Sequence, residues 1–374
     1  MLNMIIILTL AVVAIASPLL SIYMRRQRFA APDEECERLP VSVIIALHDN
    51  AEEIERNLPA ILEQDYPEGF EVIVVAAKSN DDTEDVLKRF ESNKRLYTTF
   101  IPDSSRYISR RKLAITLGVK AAHNPWLLFT DITCRPESDQ WIKSMAGCMS
   151  EGRNMVIGPT VYAPDAPSTY RSLRFHDDMA HAHEASFGTA YRTESKNIMM
   201  LRDDFMKRRG FEGNLKYMRG EYDFIVNKYA VKRGTAVTNH PDALLVEDTP
   251  TKREWRNHRL FYMETRRHLQ RKASHRVPQA IDGILFHAGM LLPMTALAYQ
   301  TVDYNMPVMA TAIASLLFSI VLRTVLARRR EAQFFADIPA WQIVPIEILQ
   351  TFRKLTHWLS YKRADKYDFI THKI

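Results

Sequence analysis

The chain has 374 residues, room for one large domain or two small ones with extra segments. Hydrophobic residues at 47% and charged residues at 25% are globular averages, so bulk composition alone does not mark a membrane protein. The net charge of +6 comes without the aromatic-interleaved basic stripe that a nucleic-acid partner requires, and three cysteines with no CxxC spacing point to free thiols.

Residues 1–24 carry no charge and are long enough to cross a hydrocarbon core of about 30 Å. A signal peptide fits less well, because the basic residues (Arg25, Arg26, Arg28) follow the run and no small-x-small cleavage site ends it. A polar linker, 25–40, comes next. VSVIIAL (41–47) then reads as a buried strand and 50–64 as a helix stopped by Asp65-Tyr66-Pro67. EVIVVA (71–76) is a second strand, 81–90 a second helix, 96–101 a third strand and 110–123 a third helix. WLLFT (126–130) is a fourth strand and ends on Asp131. This alternation predicts an α/β fold: a Rossmann-like, mixed but mainly parallel sheet with helices on both faces. Ligands on such sheets bind outside the carboxyl ends of the strands.

Beyond it, 141–149 reads as a helix, 155–161 as an apolar turn, 168–190 and 203–232 as largely helical, and 237–246 as a strand. Residues 252–272 form a basic helix leading to the membrane. Two further uncharged runs, 283–302 and 304–322, are separated by Asp303 and flanked by arginines and lysines on their outer ends. The positive-inside rule then places all three spans in one topology, with the large domain in the cytoplasm. Pro345 interrupts the tail, where Trp341, Leu349, Phe352 and Trp358 mix with Glu347 and Arg353; it reads as an interfacial amphipathic helix. The expected layout is a transmembrane anchor (1–24), linker (25–40), cytoplasmic domain (41–272), transmembrane hairpin (281–327) and interfacial tail (328–374).

The segments VSVIIALHDNAEEIERNLPAILEQDYP, EVIVVAAKSNDDTEDVL and YISRRKLAITLGVKAAHNPWLLFTDITCRPESDQWI resemble family-2 glycosyltransferases of GT-A fold. The last segment is close to a phrase of membrane-bound bacterial members of Bacteroidetes type, in the cellulose-synthase-like superfamily. The resemblance implies an inverting enzyme that takes a nucleotide-diphospho-sugar, a UDP-sugar by family habit, and a membrane-associated glycan or lipid-linked acceptor. It also implies a multi-pass protein of the bacterial inner membrane, with other glycan-assembly proteins as possible partners.

On the residues, the resemblance places Ala46, Asp49, Ala77, Lys78, Lys112, Asp131 and Thr133 at the donor. Asp131 matches the first Asp of the DxD signature, which would hold Mg2+ or Mn2+ on the diphosphate; a helix-capping or turn Asp is its bland reading. Thr133 stands where the family has the second Asp. Ala77 offers only backbone groups where an acid is usual, and Lys78 either reaches a phosphate or is solvated. Glu221 matches the catalytic base, with Asp223 orienting it or contacting the acceptor; a solvated acidic turn is the competing reading. Trp255, Arg256 and Arg259 loosely echo a motif near acceptor and diphosphate, or belong to a membrane-surface helix. His181 and His183 are two apart on a helix, do not share a face, and make a poor metal pair. The substitutions at Ala77, Thr133 and Tyr222 favour one alternative, a catalytically impaired binding or scaffold subunit.

Overall fold

The computed structural model describes residues 1–77, 81–101, 109–150, 152–187 and 189–364. In chain order the elements are α1 (Leu2–Leu20), β1 (Val41–Leu47), α2 (Ala51–Leu62), β2 (Phe70–Ala76), α3 (Thr83–Arg89), β3 (Leu96–Phe100), α4 (Arg110–Ala121), β4 (Trp126–Thr130), β5 (Cys134–Pro136), α5 (Trp141–Gly147), β6 (Met155–Ile157) and β7 (Thr160–Tyr162). They continue with α6 (Ser168–Phe187), β8 (Ile198–Leu201), α7 (Arg202–Lys207), α8 (Glu221–Tyr229), β9 (Thr235–Val237), β10 (Leu245–Glu247), α9 (Lys252–Arg267), α10 (Ala273–Asp303), α11 (Met306–Phe334) and α12 (Ile343–Arg363).

Seven strands form the main sheet in the order β3-β2-β1-β4-β8-β6-β9. The first four run parallel; β8 is antiparallel to both β4 and β6. Every residue of β1 is buried, which explains its unbroken apolar run: a strand covered on both faces has no polar side to show. Val41, Val43 and Ile45 pack with Ile54, Leu58 and Ile61 of α2 and Trp141 and Met145 of α5. Ile44 and Ala46 point the other way, onto Ala114, Ile115 and Val119 of α4. Helices thus cover both faces, as expected. A small second sheet, β5-β10-β7, sits beside the main one.

Several expectations change. The stretch 155–161 is not a turn but two short strands, β6 and β7. Only α7 and α8 are helical within 203–232; between them Arg209, Gly210, Gly213 and Gly220 take positive φ, which breaks helical continuity. The single strand expected over 237–246 divides into β9 and β10 around a 3-10 turn at Pro241–Ala243. β8 was not foreseen. Pro345 does not interrupt the tail, because it lies in the first turn of α12, where a missing N–H breaks no helical hydrogen bond. All three cysteines are free.

Three helices are long and apolar enough to cross a membrane: α1, α10 and α11. The last two outrun their uncharged cores, continuing into the basic flanks at Arg276 and at Arg328–Arg330. They pack closely on α1. A Cβ added to Gly289 would stand 2.7 Å from Ser17 Oγ, so glycine sets the approach of α10 to α1. Arg323 of α11 is buried; it donates to Ser17 Oγ (2.8 Å) and Ser17 O (3.2 Å) and pairs with Glu347 of α12 at 3.1 Å.

Candidate functional site

The strand order reverses between β1 and β4, and the carboxyl edge at that point is where an open α/β sheet binds ligand. The five residues of β4 are all buried, so Asp131 is the first charged side chain the strand delivers to this edge. Its carboxylate is held by Arg111 from the first turn of α4 and lies 3.4 Å from Lys196 Nζ. The Thr133 N–H donates to its Oδ1 at 3.3 Å. Burial by itself would raise the Asp131 carboxyl; Arg111 and Lys196 outweigh it and hold the group well below the usual carboxylate range. Lys196 also donates to Thr133 Oγ1 (3.0 Å) and pairs with Glu247 Oε1 at the end of β10 (2.9 Å).

Across a cavity of about 490 Å³ stands Glu221, the first residue of α8. Gly220 positions it with φ 86°, and a Cβ there would meet Thr265 Cγ2 of α9 at 2.2 Å, so only glycine lets α8 start at this place. Glu221 is 5% exposed, and its Oε1 is buried with no hydrogen-bond partner. Tyr222 donates its hydroxyl to Thr130 O (2.9 Å), which keys α8 to the end of β4. Asp223 accepts the Thr193 N–H at 2.9 Å, and burial pushes its carboxyl up to about 6 despite Arg266 nearby. The same cavity is lined by Arg219 and by Arg253, Asn257, His258 and Tyr262 of α9.

Of the residues singled out from the sequence, Asp131, Glu221 and Asp223 meet in this cavity, with Thr133 joined through Lys196. Ala46 and Ala77 lie at the ends of β1 and β2, where the Ala77 N–H donates to Leu47 O, and Asp49 follows β1 at φ 53°. None of the three is in the cavity wall. Lys78 lies outside the described residues. Lys112 needs correction as a donor contact: it is fully buried, its ammonium donates to Asn214 O (3.0 Å) and Tyr217 O, and it sits over the Phe224 ring. Burial lowers its pKa to about 8. The cation that α4 gives the cavity is Arg111, one residue earlier and about 100° around the helix.

Trp255, Arg256 and Arg259 do not reach this cavity either. α9 turns Glu254, Asn257, His258, Phe261 and Thr265 toward it, and the 3.6-residue period sends the other three elsewhere. Trp255 stacks on Tyr170 at 4.4 Å, Arg256 is exposed, and Arg259 pairs with Asp177 (2.8 Å) and Glu194 (3.2 Å). His181 is bonded by Arg266, and among the described residues no group of three His, Cys, Asp or Glu is placed to hold a metal.

The sequence reading missed Lys196, Arg219 and His258, whose local sequence gives no sign of their shared cavity; Arg111 was visible in Ser109-Arg110-Arg111-Lys112, but its neighbour was chosen. The donor set does not fit a resident divalent ion. Asp131 is one carboxylate already shared by two protein cations, and the second signature position is a hydroxyl facing Lys196.

Residues 42–209 match the family model described as Glycosyl transferase family 2. Over 124 residues the chain is 31% identical to glycosyltransferase AglE of Haloferax volcanii; the match covers 32% of this chain and 39% of that one. This chain therefore spans about two fifths of that relative's length. The mannosyltransferase PcManGT from Pyrobaculum calidifontis, solved with GDP-Man and Mn2+, superposes with a TM-score of 0.53 at 20% identity, over 90% of this chain and 97% of its own. The likeness to PcManGT is one of fold. Residues 42–209 are thus similar to glycosyltransferase family 2 domains, and the chain shares the GT-A fold of PcManGT.

Proposed function

We propose that the chain is an inverting glycosyltransferase that moves a sugar from a nucleotide-diphospho-sugar to a membrane-associated glycan or lipid-linked acceptor. The observation that carries this reading is the unpartnered Glu221 carboxylate facing the Asp131–Arg111–Lys196 cluster across one cavity. Glu221 Oε1 is free to accept the proton of an acceptor hydroxyl as it attacks the anomeric carbon. Arg111, Lys196 and Arg219 meet the negative charge that grows on the departing diphosphate, and Asp131 holds the first two in place. No step here depends on Mg2+ or Mn2+. The donor is a UDP-sugar by family resemblance, with GDP-sugars next in line because PcManGT was solved with GDP-Man. The basic flanks of α1, α10 and α11 support a cytoplasmic position for the domain by the positive-inside rule, and the resemblance to membrane-bound bacterial members supports the bacterial inner membrane.

The test is donor hydrolysis and binding by the full-length, detergent-purified protein. UDP-, GDP- and dTDP-sugars are offered with manganese, magnesium or EDTA. The expected result is turnover of one donor that survives EDTA and is lost in Asp131→Asn and Glu221→Gln. Failure of every donor to bind would overturn the reading. Donor bound but never turned over, even with membrane extract as acceptor source, would instead establish the scaffold alternative, which Tyr222 and Thr133 in acidic positions favour.

A further inference from the structure

A second cavity, of about 650 Å³, lies behind the first, bounded by α6, α9, the start of α10 and α12. Tyr262 lines both. The second wall carries six arginines and Lys362 against a single carboxylate, Asp177. Three of these arginines have carboxylate partners: Arg259 in Asp177 and Glu194, Arg192 in Glu184 at 2.7 Å, and Arg266 more loosely in Glu194 and Asp223. Arg267, Arg271, Arg353 and Lys362 make no ion pair with any described carboxylate. Among the described residues Arg267 donates to the Tyr361 hydroxyl, which itself donates to Glu264, Arg271 to the Gln279 amide and the His275 carbonyl, and Lys362 rests over the Trp358 ring. Arg259 Nε and Nη2, Arg266 Nε and Arg271 Nε are buried with no acceptor.

Unpaired guanidinium groups converging on a hollow call for an oxyanion, and arginine's planar fork matches the oxygens of a phosphate. The position narrows the source. Tyr23, just past the end of α1, and Gln279, in the first turns of α10, both line the cavity, which puts it at the membrane boundary. Leu173, Met263 and Trp358 give it an apolar side. Next to it α12 exposes Phe352, Leu355, Trp358 and Leu359, a face suited to lie among acyl chains. A free phosphate uses only the cations; a phosphate on a hydrocarbon tail uses both.

We infer that this cavity holds the phosphate of a lipid-borne acceptor, which rests on the glycosyltransferase reading above. Its inner wall is one side chain thick. Arg266 lies 4.0 Å from Asp223 and 3.8 Å from Glu194, both of which line the first cavity. A lipid phosphate seated here presents the group it carries past Tyr262 toward Glu221.

The test uses full-length protein in nanodiscs of zwitterionic lipid. Binding of a long-chain alkyl phosphate, the corresponding alcohol and inorganic phosphate is read by native mass spectrometry. The alkyl phosphate binds at least about tenfold tighter than the other two, and Arg353→Gln with Arg267→Gln removes that preference, while Arg353→Lys keeps most of it. Melting temperature and donor hydrolysis are read on the same samples, and both stay near wild type in the variants. Equal binding of the alcohol, or wild-type binding by a folded double variant, overturns the inference. Inorganic phosphate bound as tightly as the lipid overturns the lipid assignment in favour of a soluble anion. If the double variant melts early, Arg353→Gln alone decides in the same way. Donor hydrolysis without lipid-phosphate binding sinks only this inference; lipid-phosphate binding without any donor hydrolysis keeps the phosphate site but overturns its acceptor role together with the enzyme reading.

Discussion

Asp131 and Arg323 are both buried charges held by opposite charge from neighbouring elements, yet they do different work. Asp131 is gripped by Arg111 and Lys196 at the rim of an open cavity. Arg323 is gripped by Ser17 and Glu347 between helices, with the Phe286 ring over its guanidinium. The cavity beside the strand-end cluster holds carboxylate oxygens of Glu221 and Glu194 without hydrogen-bond partners, whereas the helical cluster joins α1, α11 and α12 through one side chain. A buried ion facing a cavity is placed for a ligand, and one sealed among helices is placed for assembly.

The sharpest way to break that contrast is Glu221→Gln. It keeps the shape of the side chain and removes the base, so turnover should fall by about 10²–10⁴ while the melting temperature stays put. A drop in melting temperature with turnover intact would make Glu221 structural. Arg323→Leu should do the reverse: it strands Glu347, at a loss of about 3–5 kcal/mol of stability, with turnover per folded molecule unchanged. Thermal melts beside donor hydrolysis separate the two.

Lys112→Met sharpens the contrast within one helix turn. It leaves the Asn214 and Tyr217 carbonyls without their donor, which costs about 1–3 kcal/mol, and donor affinity should not change. A weaker donor KM at unchanged stability would return Lys112 to the donor site. The smallest effect is expected from Asp223→Asn. The folded carboxyl titrates near 6, above its ordinary 3.8, so the folded state keeps a proton that the unfolded state has lost. Wild-type stability therefore declines as pH rises from about 4 to about 6 and is flat above; the Asn variant lacks that decline. Melting curves across this range show it, and identical slopes would refute it.

The parallel strands were legible because burial on both faces writes itself as an unbroken run, as in β1 and β4. Asp131 was legible as the first charged residue after such a run, and its role came from the resemblance. β8 was not: four residues in an antiparallel slot carry too little pattern to tell from a loop. Nor was Lys196, which reaches Asp131 across 65 positions of sequence. α9 was read correctly as a helix, but its facing was not, because Trp255, Arg256 and Arg259 were selected by likeness of motif rather than by the face their spacing gives. The resemblance supplied Glu221; no periodicity marks it.

The clasp between Ser17 and Arg323 spans 306 positions. During synthesis the first helix therefore emerges long before its partner exists and waits while the whole α/β domain between them is made. Arg323 of α11 closes the clasp, so the long helices complete their packing only after the α/β domain has had time to fold.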